Sequence, residues 1–224
     1  MAILLFGIAF GYVEAAVVIY LRPTFEAARA RVRSRHSSDD LFPLLSLEQV
    51  KAAGPDLGNT VRTEVAREAA TLVMLGAVSA AVSSTLPQWL AFSFLAFGAW
   101  DLAYYAFLKA LIHWPETLLS WDILFLIPVP WTGPVLAPVL VSLTMIGSAL
   151  LYLWRDSCGL TMRLEVKHWI AAVAGALLIL AAFVWDYRNI MAGGMPEPFN
   201  WPLFVFGETL WLAAVLQPLG ASKR

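Results

Sequence analysis

Apolar residues fall into six long blocks, 2–21, 69–86, 89–112, 135–154, 169–185 and 201–219, with polar and Pro-rich stretches between them. A helix rises 1.5 Å per residue, so about 20 apolar residues cross the hydrocarbon, and each block approaches that length. The pattern predicts an all-α polytopic membrane bundle of six transmembrane helices, a single domain over 1–224. The first block is expected to stay as a helix and not to act as a secretory signal. It has no basic start, carries Glu14 inside the apolar run and continues straight into Arg22. A polar, Arg-rich loop over 22–67 joins the first two helices, with Arg29, Arg31, Arg33 and Arg35 ahead of Ser37, Ser38, Asp39 and Asp40. Its 26–35 stretch suits a basic helix on headgroups and equally a solvated loop. Residues 41–47 are expected to pack on the bundle or its interface, and Asn59 or Thr60 to cap the second helix.

The short uncharged turn 83–88 makes the second and third helices an antiparallel hairpin. Pro128, Pro130, Gly133, Pro134 and Pro138 cannot share one unbroken helix. A short broken or re-entrant helix over 118–127 is therefore expected before the fourth spanning helix, followed by an irregular link. Non-helical backbone survives at membrane depth only when buried in protein or lining a wet cavity, so the link points to a site as readily as to a surface loop. Gly7 and Gly11, Gly76 and Ala80, and Ala171 and Gly175 are each four residues apart, a spacing that predicts close helix approach. Glu14, seven residues past Gly7, shares that face and points into protein.

Composition agrees with the pattern. With 60% hydrophobic and 14% charged residues and a mean hydropathy of +0.71, the chain has too little polar surface for a water-soluble globule. A net charge of −1 excludes a nucleic-acid partner. The single cysteine, Cys158, excludes an internal disulfide and a Cys-based metal site.

Against this apolar background the ionisable residues carry the information, because a charge in hydrocarbon costs several kcal/mol unless it is paired or hydrated. Six crossings place Glu14 and Glu208 about 10 Å in from the face bearing the Arg-rich loop, and Asp101 about 16 Å in, near the midplane. Glu68, Asp122, Asp186 and Arg188 fall at the mouth on that face. The one-sidedness predicts a polar vestibule that opens there and ends near Asp101, with Glu14, Asp101 and Glu208 converging on it. Asp101, Tyr105 and Lys109 follow one another at intervals of four, the arrangement of a proton or cation path and equally of an internal ion pair; Lys109 also suits snorkelling to headgroups. Trp89, Trp114, Trp121, Trp131, Trp154, Trp169, Trp185 and Trp201 lie near block ends, as interfacial anchors do, and Trp211 is placed to pack beside Glu208.

Several chemistries drop out. His36, His113 and His168 lie at different levels, which excludes bis-histidine haem and a three-histidine zinc site and leaves a carboxylate-only hard-cation site as the open metal chemistry. The Walker loop, the Gly-x-Ser-x-Gly elbow and the His-Glu-x-x-His motif are absent. Ten Lys and Arg on the loop face against five on the other put that face in the cytoplasm.

Four stretches, Gly-Tyr-Val-Glu-Ala-Ala-Val-Val-Ile-Tyr-Leu-Arg at 11–22, Arg-Glu-Ala-Ala-Thr-Leu-Val-Met-Leu at 67–75, Trp-Asp-Leu-Ala-Tyr-Tyr at 100–105 and Trp-Asp-Ile-Leu-Phe-Leu-Ile-Pro-Val-Pro-Trp at 121–131, together resemble a group of uncharacterised bacterial multi-pass membrane proteins. The resemblance implies a bacterial inner membrane and carries no activity or cofactor with it. Three functional classes follow from the residues themselves. The first is a carrier or channel for a proton, cation or small solute, using Asp101 and Glu208 with Glu14 in support. The second is an intramembrane enzyme on a lipid or lipid-linked substrate, with Arg22, Lys109 or Arg188 meeting a phosphate. The third is a non-catalytic subunit whose small-residue faces receive partner helices or a second copy. Membrane lipids are partners in all three.

Overall fold

The computed structural model describes residues 1–32, 55–160, 165–192, 194 and 196–220. Its helices are α1 (Ala2–Val32), α2 (Pro55–Val82), α3 (Leu86–Ile112), α4 (Leu136–Ser157), α5 (Val166–Val184), the short α6 (Tyr187–Met191) and α7 (Trp201–Gly220). Five spans, 2–25, 55–82, 86–112, 136–157 and 166–191, are long and apolar enough to cross a membrane, and α7 adds a shorter apolar stretch over Trp201–Gln217. The chain is a multi-pass helical bundle. Residues 33–54, which hold 41–47 and most of the Arg-rich loop, lie outside the described residues, as do the side chains of 26–32 that were to lie on headgroups.

Two helices run further than their apolar blocks. α1 continues to Val32, and α2 begins at Pro55, well before the apolar block at 69. Proline suits the first helical position because its missing N–H would be unsatisfied there anyway. Asn59 and Thr60 therefore lie inside the helix and do not cap it; the Thr60 hydroxyl bonds back to the Asp56 carbonyl at 3.0 Å. The polar first half of α2 belongs to the bundle because its charged residues find partners there.

The expected short helix over 118–127 is instead an antiparallel β-hairpin, β1 (Trp121–Phe125) and β2 (Trp131–Pro134), with Trp121 opposite Pro134, Asp122 opposite Gly133, Ile123 opposite Thr132 and Phe125 opposite Trp131. A bulge between Ile123 and Phe125 bends β1. Aromatic and β-branched residues favour strands, and Pro128 and Pro130 turn the chain at the tip. The hairpin runs inward from the end of α3: Trp121 packs on Phe199, while Phe125 reaches Phe97 and Trp100 in the middle of α3. At the outer end, the Val135 and Leu136 N–H groups bond to the Ser120 and Leu118 carbonyls.

Packing follows the small residues. α1 lies along α3, α3 against α4 and α2, and α5 along α7. A Cβ on Gly11 would stand 2.7 Å from the Ala103 Cβ and the Trp100 carbonyl, so the close contact of α1 with α3 requires glycine. Gly175 and Gly207 face each other across α5 and α7 in the same way. Gly76 has no such role: its carbonyl accepts the Trp89 indole N–H at 2.9 Å. Gly207→Val drives a branched side chain into the α5 backbone, and overpacking of this kind costs about 1–3 kcal/mol. Thermal unfolding of the purified protein in detergent should fall by several degrees, and an unchanged midpoint would mean the two helices part without penalty.

Candidate functional site

α1, α2, α3, the hairpin, α4 and α5 wall a recess of about 1030 Å³. Val18, Leu21, Phe25 and Val61, towards the Arg-rich-loop ends of α1 and α2, line one part of it, and Phe97, Leu72 and Met145, nearer mid-helix, line another.

One wall is an ion-pair cluster. Arg67 donates from Nη1 to both oxygens of Glu14 at 2.7 and 2.6 Å, and from Nε to Glu64 Oε2 at 2.7 Å. Glu64 and Arg67 are three apart on α2 and so share a helix face; Glu14 arrives from α1. A single guanidinium thus serves two carboxylates, and its charge is fully claimed.

Three further carboxylates line the recess with neutral donors alone. Glu68 Oε2 accepts the Leu126 backbone N–H at the hairpin tip at 2.8 Å. Asp101 Oδ2 accepts the Ser142 hydroxyl of α4 at 2.8 Å. Asp122 accepts the Tyr105 hydroxyl on Oδ2 at 2.9 Å and the Ile123 N–H on Oδ1 at 2.8 Å. Among the described residues no Lys, Arg or His bridges any of the three. Asp122 lies on the hairpin, outside the spanning helices and only 3% exposed. Burial pushes its carboxyl up to about 7, against the pull of the Tyr105 and Ile123 donors. Aromatic rings line the recess as well: Phe97, Trp100, Phe125 and Trp131, with Tyr104 and Tyr105.

The recess gathers Glu14, Glu68, Asp101, Tyr105 and Asp122, and leaves out Glu208, Lys109, Asp186 and Arg188. Glu208 departs because its neighbour Gly207 must face α5; the carboxylate then turns to Thr144 of α4, with Oε1 buried and unpartnered. Lys109 donates to the Pro115 carbonyl at 2.7 Å, closing the end of α3, and offers no charge to Asp101. Asp186 accepts from Asn189 and the Glu197 N–H, and Arg188 is exposed beside Tyr187. Trp211 bonds to Ser148 and packs on Phe94. Trp121 and Trp131 pack within and beside the hairpin, on Phe199 and Phe125. A hard-cation set of Glu14, Asp101 and Glu208 does not assemble, and no group of three His, Cys, Asp or Glu is placed to hold a metal among the described residues.

Sequence reasoning passed over Arg67, Glu64 and Ser142 as site residues, and the packing of the hairpin aromatics. The signal for Arg67 was present: Glu14 in an apolar helix demands a cation, and Glu64-x-x-Arg67 stands just ahead of the second apolar block. Ser142 carried none, since one hydroxyl in an apolar helix commonly bonds to its own backbone.

Glu68 also holds the hairpin tip. Glu68→Ala removes the acceptor of the Leu126 N–H, whereas Glu68→Gln keeps an oxygen there. With Cys158→Ser as background, a cysteine at Val129 should react several-fold faster with a maleimide in the Ala variant than in the Gln variant. Equal rates would show that this bond does not hold the tip.

Compared with known proteins, the chain matches no family model, no curated protein and no solved structure.

Proposed function

We propose that this protein is a carrier, and that Glu68, Asp101 and Asp122 hold protons or a solute's positive charge in the recess. The supporting observation is the missing countercharge at Asp101 and Asp122, which line one cavity and meet neutral donors only; Glu68 lines the same cavity beside Arg67, whose guanidinium is bonded to Glu14 and Glu64. A buried carboxylate without a cation is costly to ionise, so it either keeps its proton or takes a cation from outside. Exchange between those two states is the elementary step of a proton-coupled carrier.

In this reading α7 is the sixth crossing and the hairpin enters the bundle from the Arg-rich-loop face. By the excess of Lys and Arg that face is cytoplasmic, in a bacterial inner membrane, with lipid covering the apolar outer faces. The enzyme alternative loses ground because Arg22, Lys109 and Arg188, its phosphate-binding residues, do not line the recess and Arg67 is occupied by two carboxylates.

The test is proton movement into proteoliposomes under an imposed potassium diffusion potential. Wild type should carry protons, and Asp101→Asn should lower the rate about tenfold or more, because an amide does not titrate. Equal rates in the two proteins, or none in wild type, would refute the carrier.

A further inference from the structure

The recess has features that transport of a bare proton leaves unexplained. Its volume, about 1030 Å³, matches pockets for drug-sized ligands and is far beyond the roughly 30 Å³ of one water. Most of its lining is apolar, and an apolar wall facing a hydrated metal ion gains nothing.

Four of its rings touch in sequence: Phe97 and Trp100 with centroids 5.1 Å apart, Trp100 and Phe125 at 6.1 Å, Phe125 and Trp131 at 5.2 Å. This chain ties α3 to both strands of the hairpin. The carboxylates sit in the same segments. Asp101 follows Trp100, Asp122 lies three residues before Phe125, and Tyr105 bonds to Asp122. Rings and carboxylates thus line one and the same space. Rings attract a cation within about 6 Å of their centroids, most strongly where water is excluded.

We infer that the transported solute is an apolar organic cation, an ammonium or phosphonium centre carried on an aromatic or aliphatic body. The charged centre lies by Asp101 and Asp122, and the body lies against Phe97, Trp100, Phe125 and Trp131. Hydrated metal cations are poor occupants: the carboxylates stand on separate elements, each with its own neutral donor, and do not converge as an oxygen cage. This inference rests on the carrier reading for the word transported, and on the recess alone for binding.

Tetraphenylphosphonium and tetraphenylborate have the same shape and opposite charge, and they separate the two claims. Binding of each to the full chain in nanodiscs is measured by equilibrium dialysis against empty nanodiscs. The phosphonium should bind at least about tenfold more tightly than the borate, a difference worth one unit of log Kd. Asp101→Asn with Asp122→Asn should remove most of that preference, and Trp131→Leu should weaken the phosphonium several-fold while Trp131→Phe keeps it. Equal binding of the two ions by wild type would overturn the inference without recourse to any variant. So would proton flux with no phosphonium binding, an outcome that leaves the carrier reading standing. Selective phosphonium binding without flux would uphold the cation site and remove the carrier.

Discussion

Arg67→Ala is expected to be the most destabilising single substitution in the bundle, by about 3–5 kcal/mol, because it strands two largely buried carboxylates without their cation. Glu64 is 9% exposed, and Glu14 reaches Arg67 with both oxygens. The cost comes from the charges left behind more than from the bonds lost. The triple variant Arg67→Met, Glu14→Gln, Glu64→Gln should therefore recover much of the stability that Arg67→Ala forfeits. Thermal or denaturant unfolding in detergent reads both. If the triple variant is no more stable than Arg67→Ala, the cluster acts by packing and not by charge.

The second large effect is on pH. Asp122 has its carboxyl raised to about 7, so the folded protein holds that proton more tightly than the unfolded chain does. The sign follows: Asp122's contribution to stability is present at low pH and is lost as pH rises from the ordinary carboxylate range through about 7. A cation needs the ionised form, so its binding runs the opposite way. Tetraphenylphosphonium affinity should rise through about pH 7, by up to tenfold per unit below it, and level off above. Asp122→Asn should flatten this slope. A profile that is flat in wild type, or unaltered in the Asn variant, would remove Asp122 from the site.

Position along a helix could be read from the sequence and rotation could not. Counting residues along apolar blocks orders Glu14, Asp101 and Glu208 along their helices, because rise per residue is constant. Which way each points depends on helix contacts that one sequence does not display. Gly7 and Gly11 settle the question for α1. Gly207 settles it against Glu208, because the glycine takes the α5 contact and its neighbour turns to α4. The hairpin was hidden for another reason. Trp-Asp-Ile-Leu-Phe is short and apolar, and periodicity alone does not distinguish a buried strand from a helix segment of that length. The polar start of α2 looked like loop for want of Arg67's partner, which lies 53 residues away on α1.

Carboxylates that share one recess without a cation partner and exchange protons for a positive solute must release protons when ligand binds in weakly buffered solution. Adding tetraphenylphosphonium to wild type near pH 7 should release protons in proportion to the ligand bound, and Asp101→Asn with Asp122→Asn should abolish the release. Binding with no proton released from wild type at any pH between 5 and 8, a window around the Asp122 carboxyl at about 7, would mean that the recess does not trade protons for the cation.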